Sequence, residues 1–198
     1  MATERVAKGR KPLRAMLATQ EYQRMRRLVL TLLLCFSMNA YGDDWDWVPF
    51  ALEYLENHPI VVVDQNEKTC LAHNIYFEAR NESYEGKLAV ATVTTNRVLS
   101  LKYPNTYCEV VWEQRTNPRT GKKVPQFSWT LDGKPDRPYN LRVYREAEQI
   151  AEEVLRFGKR SAIIDYDVLN YHADYVEPYW AQRLQLVAQI DTHLFYSH

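Results

Sequence analysis

The chain has 198 residues, of which 46% are hydrophobic and 13% aromatic, and its 25 basic and 25 acidic side chains give a formal net charge of zero. This composition is typical of a globular protein and argues against wholesale disorder. The mean hydropathy of −0.48 excludes a polytopic membrane protein, and the pI near 7.0 gives no reason to expect nucleic acid as a partner. The length allows one domain with a hydrophobic core plus an appendage, and we expect a monomer.

The charges are unevenly distributed along the chain. Residues 1–27 carry eight basic and two acidic side chains, a net charge of +6, and residues 28–42 carry none. Residues 43–198 therefore carry 17 basic and 23 acidic side chains, a net charge of −6. The zero total is the sum of a basic leader and an acidic remainder.

The amino-terminal region has the pattern of an export signal. An apolar run at 28–40 follows three arginines and ends at the small-x-small triplet 40–42. This order predicts an export signal with an extended basic leader over 1–42, and translation from Met25 would give a more compact one. We expect export to the periplasm or cell envelope, with membrane contact through the signal alone. An uncleaved signal that anchors the protein in the inner membrane is the alternative.

Two cysteines remain outside the signal, which itself contains Cys35. In an oxidising compartment an isolated pair is a candidate disulfide, here Cys70 with Cys108. The alternative is two buried free thiols, which behave as small hydrophobic residues.

Hydrophobic periodicity predicts three helices. The first covers 67–82, and the second covers 84–100 with Ser83 as its amino-terminal cap. The third covers 141–157 and ends at Gly158. These helices and the short extended segments between them indicate a mainly helical α+β fold.

Irregular and extended segments fill the rest of the chain. Residues 43–66 connect the export signal to the main domain through a short helix and an extended stretch. Residues 103–140, rich in proline, predict a long loop with one hairpin. Residues 162–173 are expected to be extended, Pro178 to open a fourth helix over 179–189, and residues 193–196 to form a closing strand.

One carboxylate occupies an unexpected face of the first predicted helix. Glu78 follows Leu71 and Ile75 at helical spacing and therefore shares the face that they would bury. Burial raises the pKa of a carboxyl group and suits it to deliver a proton near neutral pH. A structural ion pair with Arg80 or Arg97 is an equally good explanation at this point.

Several segments resemble, in order, the motifs of the SleB-type cell wall hydrolases, the spore cortex-lytic enzyme family. The resemblance begins with CLAHNIYFEAR at 70–80 and covers about 67–197. The other matching segments are 85–91, 95–98, 103–111, the QFSW sequence at 126–129, 171–181 and 193–196. Any one segment alone is weak, whereas the ordered set is specific.

The resemblance implies a catalytic domain at 67–198 with a compact fold like that of lysozyme and the lytic transglycosylases, a small β element and long loops. It implies that the substrate is peptidoglycan and that Glu78 protonates the glycosidic oxygen between N-acetylmuramic acid and N-acetylglucosamine. The sugar's own hydroxyl or water then captures the oxocarbenium ion. A single acid/base departs from the usual pair of carboxylates. Glu82 and Glu85 follow closely, but we expect them to be solvated at a polar turn.

The matching segments supply candidate substrate-binding side chains. Polar groups suited to bind N-acetyl and hydroxyl groups are those of Asn96, Gln126 and Ser128. Aromatic groups that would stack on sugar rings or pack in the core are those of Tyr76, Phe127, Trp129 and Tyr171. His172 is expected either to orient Glu78 or the substrate or to be structural, and His193 to be structural.

The sequence departs from the family pattern in three places. Relatives usually have a glycine two places before the histidine of the last segment, where this chain has Asp191. Relatives often flank QFSW with cysteines, where this chain has Pro125 and Leu131. The segment 117–123 also has the appearance of an insertion. These departures affect the expected fit of the substrate more than the chemistry.

Two alternative functions, an amidase and a binding module, fit the sequence less well. An amidase that cuts the peptide stem usually needs zinc, and the five histidines show no HExxH or comparable spacing. A non-catalytic peptidoglycan-binding module is disfavoured by the intact Glu78 in a matching motif. We therefore expect no metal and no other cofactor. The same chemistry would serve a bacterium or, for entry or lysis, a phage.

Overall fold

The computed structural model of the protein describes residues 28, 49, 50, 53 and 61–197. The predicted basic leader, with Cys35 and most of the export signal and connecting segment, lies outside the described residues. No helix within the described part of the chain is both long and apolar enough to cross a membrane. The chain from Val63 onward forms one compact unit.

This unit contains four α-helices: α1 (Gln65–Ala79), α2 (Tyr84–Leu99), α3 (Tyr107–Val111) and α4 (Leu141–Phe157). The predicted caps are confirmed. The Ser83 hydroxyl accepts a hydrogen bond from the Gly86 amide at 3.2 Å and starts α2. Gly158, with a φ of 65°, ends α4 in the left-handed conformation that glycine adopts without strain.

Five short strands form two antiparallel sheets. A hairpin of β1 (Gln114–Thr116) and β2 (Lys123–Pro125) confirms the hairpin predicted within 103–140. The other sheet has the order β3-β5-β4, with β5 in the centre. These strands are β3 (Val168–Ala173), β4 (Gln185–Ile190) and β5 (His193–Ser197). The fold is therefore α+β and mainly helical, as predicted.

The prediction of a fourth helix over 179–189 is wrong. Only Ala181–Arg183 is helical, as a single 3-10 turn, and Gln185–Ile190 is strand β4. A two-residue turn at 191–192 folds β4 back onto β5, with Ile190 opposite His193. This pairing lets Ala188 and Ile190, two residues apart on one face of the strand, pack on the core. The long loop predicted at 103–140 likewise contains α3 and a 3-10 turn at Ser128–Leu131.

Helix α2 lies at the centre of the unit, and two of its sides are therefore buried. On one side it packs with α1 and α4 around a cluster that includes Leu71, Ile75, Leu88 and Ile150. On the other side, Ala89 and Val93 pack against the sheet through residues such as Val168 and Phe195. Helix α2 thus separates the helical part of the unit from the β3-β5-β4 sheet.

A disulfide bond joins Cys70 of α1 to Cys108 of α3, with a Cα–Cα distance of 5.1 Å. The two residues are 38 positions apart in sequence. The bond fixes α1, the helix that carries Glu78, against the first residues of α3.

Asp191 links the β4–β5 turn to the junction between α1 and α2. It has a φ of 49° and is the one non-glycine residue of the described chain with a positive φ. Its Oδ2 atom accepts hydrogen bonds from the Ser83 amide at 2.8 Å and the Ser83 hydroxyl at 2.6 Å. A Cβ atom placed on Gly86 would overlap this same oxygen. The aspartate thus adopts the conformation that a glycine would adopt freely, and two hydrogen bonds offset the strain.

Candidate active site

A cavity of about 330 Å³ lies where the end of α1 meets the loop after β2 and the edge of the β3-β5-β4 sheet. Seven of the nine candidate residues from the sequence line it. They are Glu78, Gln126, Phe127, Ser128, Trp129, Tyr171 and His172. Segments far apart in sequence therefore converge on one cavity around Glu78.

Glu78 is the only carboxylate among the described residues that line the cavity. Its Oε2 atom accepts a hydrogen bond from the Tyr171 hydroxyl at 3.0 Å. Burial raises the pKa of Glu78 above the ordinary value for a glutamate, and this effect outweighs the hydrogen bond from Tyr171 and the charge of Arg97, which lower it. Glu82 and Glu85 point elsewhere, where they accept hydrogen bonds from Thr192 and Ser161.

Tyr171 is well placed to remain a hydrogen bond donor to Glu78. Burial, with the neighbouring Glu78 carboxylate, raises the pKa of the Tyr171 phenol well above its usual range. The phenol therefore keeps its proton at any physiological pH. Its ring packs against Phe195 and lies edge-on to His193, with a centroid distance of 5.3 Å in the second case. These contacts fix the position of the hydroxyl group beside Glu78.

The structural ion pair considered for Glu78 is not formed. Within the described chain, Glu78 has no salt bridge to Arg80 or to Arg97. The Arg80 guanidinium lies over the Tyr139 ring at 5.3 Å. Arg97 lines the cavity but donates its Nε hydrogen to the Leu169 carbonyl at 2.9 Å. Glu78 is thus buried beside a positive charge without being paired to it.

The QFSW loop is held by buried contacts with two helices. Trp129 Nε1 donates to Asn74 Oδ1 at 3.2 Å, and Asn74 Nδ2 donates to Thr94 Oγ1 at 3.0 Å. The Trp129 ring also stacks on Phe77, with a centroid distance of 4.6 Å. These contacts fix the loop without the flanking cysteines of the family. Phe127 and Trp129 are buried, so packing accounts for most of their surface.

Tyr76 does not line the cavity, which corrects its assignment as a substrate-binding residue. Its side chain is completely buried, and its hydroxyl accepts a hydrogen bond from the Asn140 amide at 3.1 Å. A helix turns about 100° per residue, so Tyr76, two positions before Glu78, points to the opposite side of α1. There its ring packs edge-on against Tyr144 of α4.

The prediction that Asn96 binds substrate is also corrected, because its side chain holds the backbone at the start of β3. Its Nδ2 donates to the carbonyls of Asp165 and Val168, at 2.7 and 2.9 Å. Its Oδ1 accepts from Arg160. Asn96 is buried by these contacts and does not line the cavity around Glu78.

The two cavity histidines differ in how their ring nitrogens are used. Nδ1 of His172 donates to the Ala173 carbonyl, and Nε2 is hydrogen-bonded to the Tyr196 hydroxyl, both at 2.9 Å. His172 therefore makes no hydrogen bond to Glu78, which agrees with the structural alternative. His193 is buried, and burial lowers the pKa of its ring. Its Nδ1 atom has no hydrogen bond partner.

Sequence reasoning missed Tyr175 and Val176 and gave Arg97 only a role as an ion-pair partner. All three line the cavity. Tyr175 is 84% exposed and lies two residues beyond the end of β3. The segment 171–181 marks this region as part of the family pattern, but no sequence signal distinguishes an exposed aromatic residue from a packed one. Among the described residues, no group of three or more His, Cys, Asp or Glu side chains is arranged to hold a metal ion.

Comparison with known proteins assigns the chain to a family. Residues 81–196, more than half of the chain, match the sequence profile of a family described as cell wall hydrolases. The chain belongs to this family. The match begins three residues after Glu78 and therefore does not include the IYFEAR motif.

Curated relatives of this cell wall hydrolase are named spore cortex-lytic enzymes. A spore cortex-lytic enzyme of Bacillus cereus is 45% identical over 51 residues, which cover 26% of this chain and 20% of that protein. A spore cortex-lytic enzyme of Oceanobacillus iheyensis is also 45% identical over 51 residues, covering 26% and 18%. The matched segment thus spans about a fifth of the length of these relatives.

Two solved structures resemble this cell wall hydrolase. The catalytic domain of the Bacillus cereus SleB protein is 26% identical, with a TM-score of 0.49 over 69% of this chain and 93% of that chain. The catalytic domain of a germination-specific lytic transglycosylase SleB from Bacillus anthracis is 24% identical, with a TM-score of 0.48 over 68% and 97%.

Proposed function

We propose that this cell wall hydrolase cleaves the glycan strand of peptidoglycan between N-acetylmuramic acid and N-acetylglucosamine, as a lytic transglycosylase with Glu78 as its single general acid and base. The carrying observation is that one carboxylate, with a pKa raised by burial, lies in a cavity with a hydroxyl donor and several aromatic side chains. The names of the relatives, spore cortex-lytic enzymes, support peptidoglycan as the substrate.

The proposed mechanism needs only one carboxylate. Protonated Glu78 donates its proton to the glycosidic oxygen while the bond from C1 to that oxygen breaks, which leaves positive charge on C1 and a carboxylate on Glu78. The Tyr171 hydroxyl, 3.0 Å from Oε2, stabilises that carboxylate. Glu78 then accepts the proton of the C6 hydroxyl as its oxygen bonds to C1, which yields an anhydro sugar and restores the acid.

Product analysis of digested sacculi tests the proposed reaction. The full chain is incubated with purified sacculi, and the released fragments are identified by mass spectrometry. Anhydromuramic ends are the expected product. Reducing ends in their place would mean that water captures C1 and that the enzyme is a hydrolase. Freed peptide stems with intact glycan strands would identify an amidase and overturn the proposal, and the absence of any product would indicate a binding module.

We also propose that the protein is exported through the signal at 1–42. The sequence order of basic, apolar and small residues supports this, as does the Cys70–Cys108 disulfide, because such bonds persist in oxidising compartments. Cell fractionation tests the proposal, with deletion of 28–40 as the control that should leave the protein in the cytoplasm. The amino terminus of the exported protein distinguishes a cleaved signal from an anchor.

Replacing Tyr171 by phenylalanine should move the alkaline limb of the pH profile to higher pH. Glu78 must begin protonated, so activity falls as pH rises through its pKa. The hydrogen bond from Tyr171 lowers that pKa, and its loss raises it. We also expect kcat to fall roughly 10- to 100-fold, because a hydrogen bond to a charged group contributes about 1.5–3 kcal/mol. The measurement is the pH dependence of kcat/KM on soluble glycan strands.

The matched control for this variant is Tyr196→Phe. Tyr196 is another buried tyrosine of the same sheet, but its hydroxyl bonds to His172 rather than to Glu78. Its removal should leave the alkaline limb in place. An unchanged limb in Tyr171→Phe would show that the phenol does not act on the catalytic carboxyl group.

Tyr175→Ala should weaken substrate binding about tenfold. The Tyr175 ring is 84% exposed on the cavity wall, so a sugar ring that covers it would remove its apolar face from water. The expected effect appears in KM for soluble strands or in the affinity for sacculi. Tyr179→Ala is the control, because Tyr179 is 77% exposed in the same loop region but does not line the cavity. Equal effects of the two variants would contradict a specific role for Tyr175.

A further inference from the structure

Two residues that line the cavity have a buried nitrogen atom without a hydrogen bond partner. In the described part of the chain there are three such side-chain atoms: Arg97 Nη1, Arg160 Nη1 and His193 Nδ1. Two of them, those of Arg97 and His193, belong to residues that line the cavity around Glu78. Buried polar groups are nearly always hydrogen-bonded, so an unsatisfied pair in a cleft indicates a place that a ligand completes.

The Arg97 guanidinium is the stronger of the two groups. Its residue is only 6% exposed, and the Nε hydrogen bond to the Leu169 carbonyl fixes the plane of the group. Its Cζ atom lies 5.0 Å from the centre of the Phe127 ring and 5.4 Å from that of Tyr103. No salt bridge within the described residues neutralises it. A desolvated charge of this kind is costly unless an acceptor of opposite charge is supplied.

Before the proton of Glu78 is transferred, no described residue of the cavity wall supplies such an acceptor. Glu78 acts first as a neutral acid, and burial keeps the His193 ring neutral. Arg97 is the only lysine or arginine among the described residues that line the cavity. The planar guanidinium fork matches a carboxylate better than it matches a hydroxyl or a single carbonyl group.

We propose that Arg97 binds a carboxylate of the substrate, next to the glycosidic bond that Glu78 cleaves. This inference rests on the proposed function and narrows its substrate. Two parts of peptidoglycan carry that chemistry: the lactyl group of muramic acid when its peptide has been removed, and the peptide stem itself. Arg97 thereby distinguishes muramic acid polymers from polymers of N-acetylglucosamine alone, which have no carboxylate.

The position of Arg97 places the bound carboxylate close to the catalytic group. The Arg97 Cζ atom is 6.0 Å from the centre of the Tyr171 ring, and His193 lies edge-on to the same ring at 5.3 Å. Tyr171 donates to Glu78. The two unsatisfied groups thus flank the residue that holds the general acid, and His193 Nδ1 offers a second polar contact.

A chemical double-mutant cycle tests the proposal by binding rather than by cleavage. The background is Glu78→Gln, since glutamine resembles the neutral acid and prevents turnover. Three ligands are compared by calorimetry: strands freed of peptide, with lactyl carboxylates; the same strands with these carboxylates converted to methylamides; and strands with intact stems. In Glu78→Gln we expect at least tenfold tighter binding of one carboxylate-bearing ligand than of the amidated strands. Adding Arg97→Gln should reduce this ratio to about one.

The ratio of the affinities for carboxylate-bearing and amidated strands shows whether Arg97 recognises a carboxylate or has only a structural role. If Arg97 only supports the Leu169 backbone, Arg97→Gln weakens all three ligands equally, and the proposal is overturned. Arg160→Gln is the matched control, because it changes another arginine with an unsatisfied Nη1 that lies outside the cavity. Should Arg97→Gln fail to fold, equal affinities of Glu78→Gln alone for carboxylate-bearing and amidated strands would still overturn the proposal.

The ligands also identify the source of the carboxylate. An Arg97-dependent preference for peptide-free strands assigns it to the lactyl group, and one for intact strands assigns it to the stem. The proposed glycosidase activity is tested independently by cleavage with the unsubstituted protein. If the protein cleaves strands but binds carboxylate-bearing and amidated strands equally, only the carboxylate site is refuted. If it prefers the carboxylate-bearing strands but cleaves none, only the catalytic function is refuted.

Discussion

Glu78→Gln should reduce cleavage of peptidoglycan strands by about 10³-fold or more. General acid catalysis alone contributes roughly 10²–10⁴-fold, and Glu78 is proposed to act both as the acid and as the base. Glutamine preserves the size of the side chain and its ability to accept a hydrogen bond from Tyr171, but it has no proton of suitable acidity. Initial rates of release of anhydromuramic fragments measure the loss.

Glu82→Gln is the matched control for this loss. Glu82 lies four residues further along the chain, but it accepts hydrogen bonds from Thr192 at the turn between β4 and β5, outside the cavity. We expect activity within about twofold of the unsubstituted protein, as is usual for surface changes of this size. Near-normal activity of Glu78→Gln would remove the basis of the proposed mechanism.

The same Glu78 variant should not lose stability, and at neutral pH it should gain some. The folded state raises the pKa of Glu78, so the unfolded chain releases this proton at lower pH than the folded chain does. Between the two pKa values the unfolded state binds fewer protons, and stability therefore falls as pH rises. Glutamine removes this cost. Urea unfolding at pH 7 and pH 3 should show an advantage for the variant at pH 7 that disappears at pH 3.

Replacing both Cys70 and Cys108 by serine should lower the free energy of unfolding by about 2–4 kcal/mol. The disulfide closes a loop whose ends are 38 positions apart, and a cross-link of this length restricts the unfolded chain by roughly that amount. Such a loss is a large fraction of the stability of an ordinary domain. Urea unfolding of the exported form measures it. Unchanged stability would mean that α1 and α3 are held by packing alone.

Reduction provides the control for the cysteine variant. Dithiothreitol should destabilise the unsubstituted protein to the level of the double variant and should have no effect on the double variant itself. The activity of the molecules that remain folded should change little, because the disulfide lies two helical turns before Glu78 on α1 and does not line the cavity.

The parts of the fold that could be predicted are those decided by local chemistry. The starts and ends of α2 and α4 follow from Ser83, which caps one helix, and Gly158, whose positive φ ends the other. Glu78 could be singled out because helical spacing places it beside Leu71 and Ile75. These signals lie within a few residues of the feature that they predict.

The parts that could not be predicted depend on distant partners. Strand β4 exists because β5 pairs with it, which its own sequence does not reveal. The cavity wall depends on the contact of Trp129 with Asn74, and the placement of Arg97 depends on the Leu169 carbonyl. Tyr76 was the exception, because the rotation of a helix between positions 76 and 78 already places the two side chains on opposite sides.

Two neighbours restrict the evolution of position 86. The carboxylate of Asp191 that accepts from Ser83 occupies the space where a side chain at 86 would begin, and the Cβ atom of Glu82 would lie 2.9 Å from the new Cβ atom. A change at 191 removes only the first of these contacts, since the Cβ atom of Glu82 is set by the backbone. A library that randomises positions 86 and 191 together should therefore still recover glycine at 86.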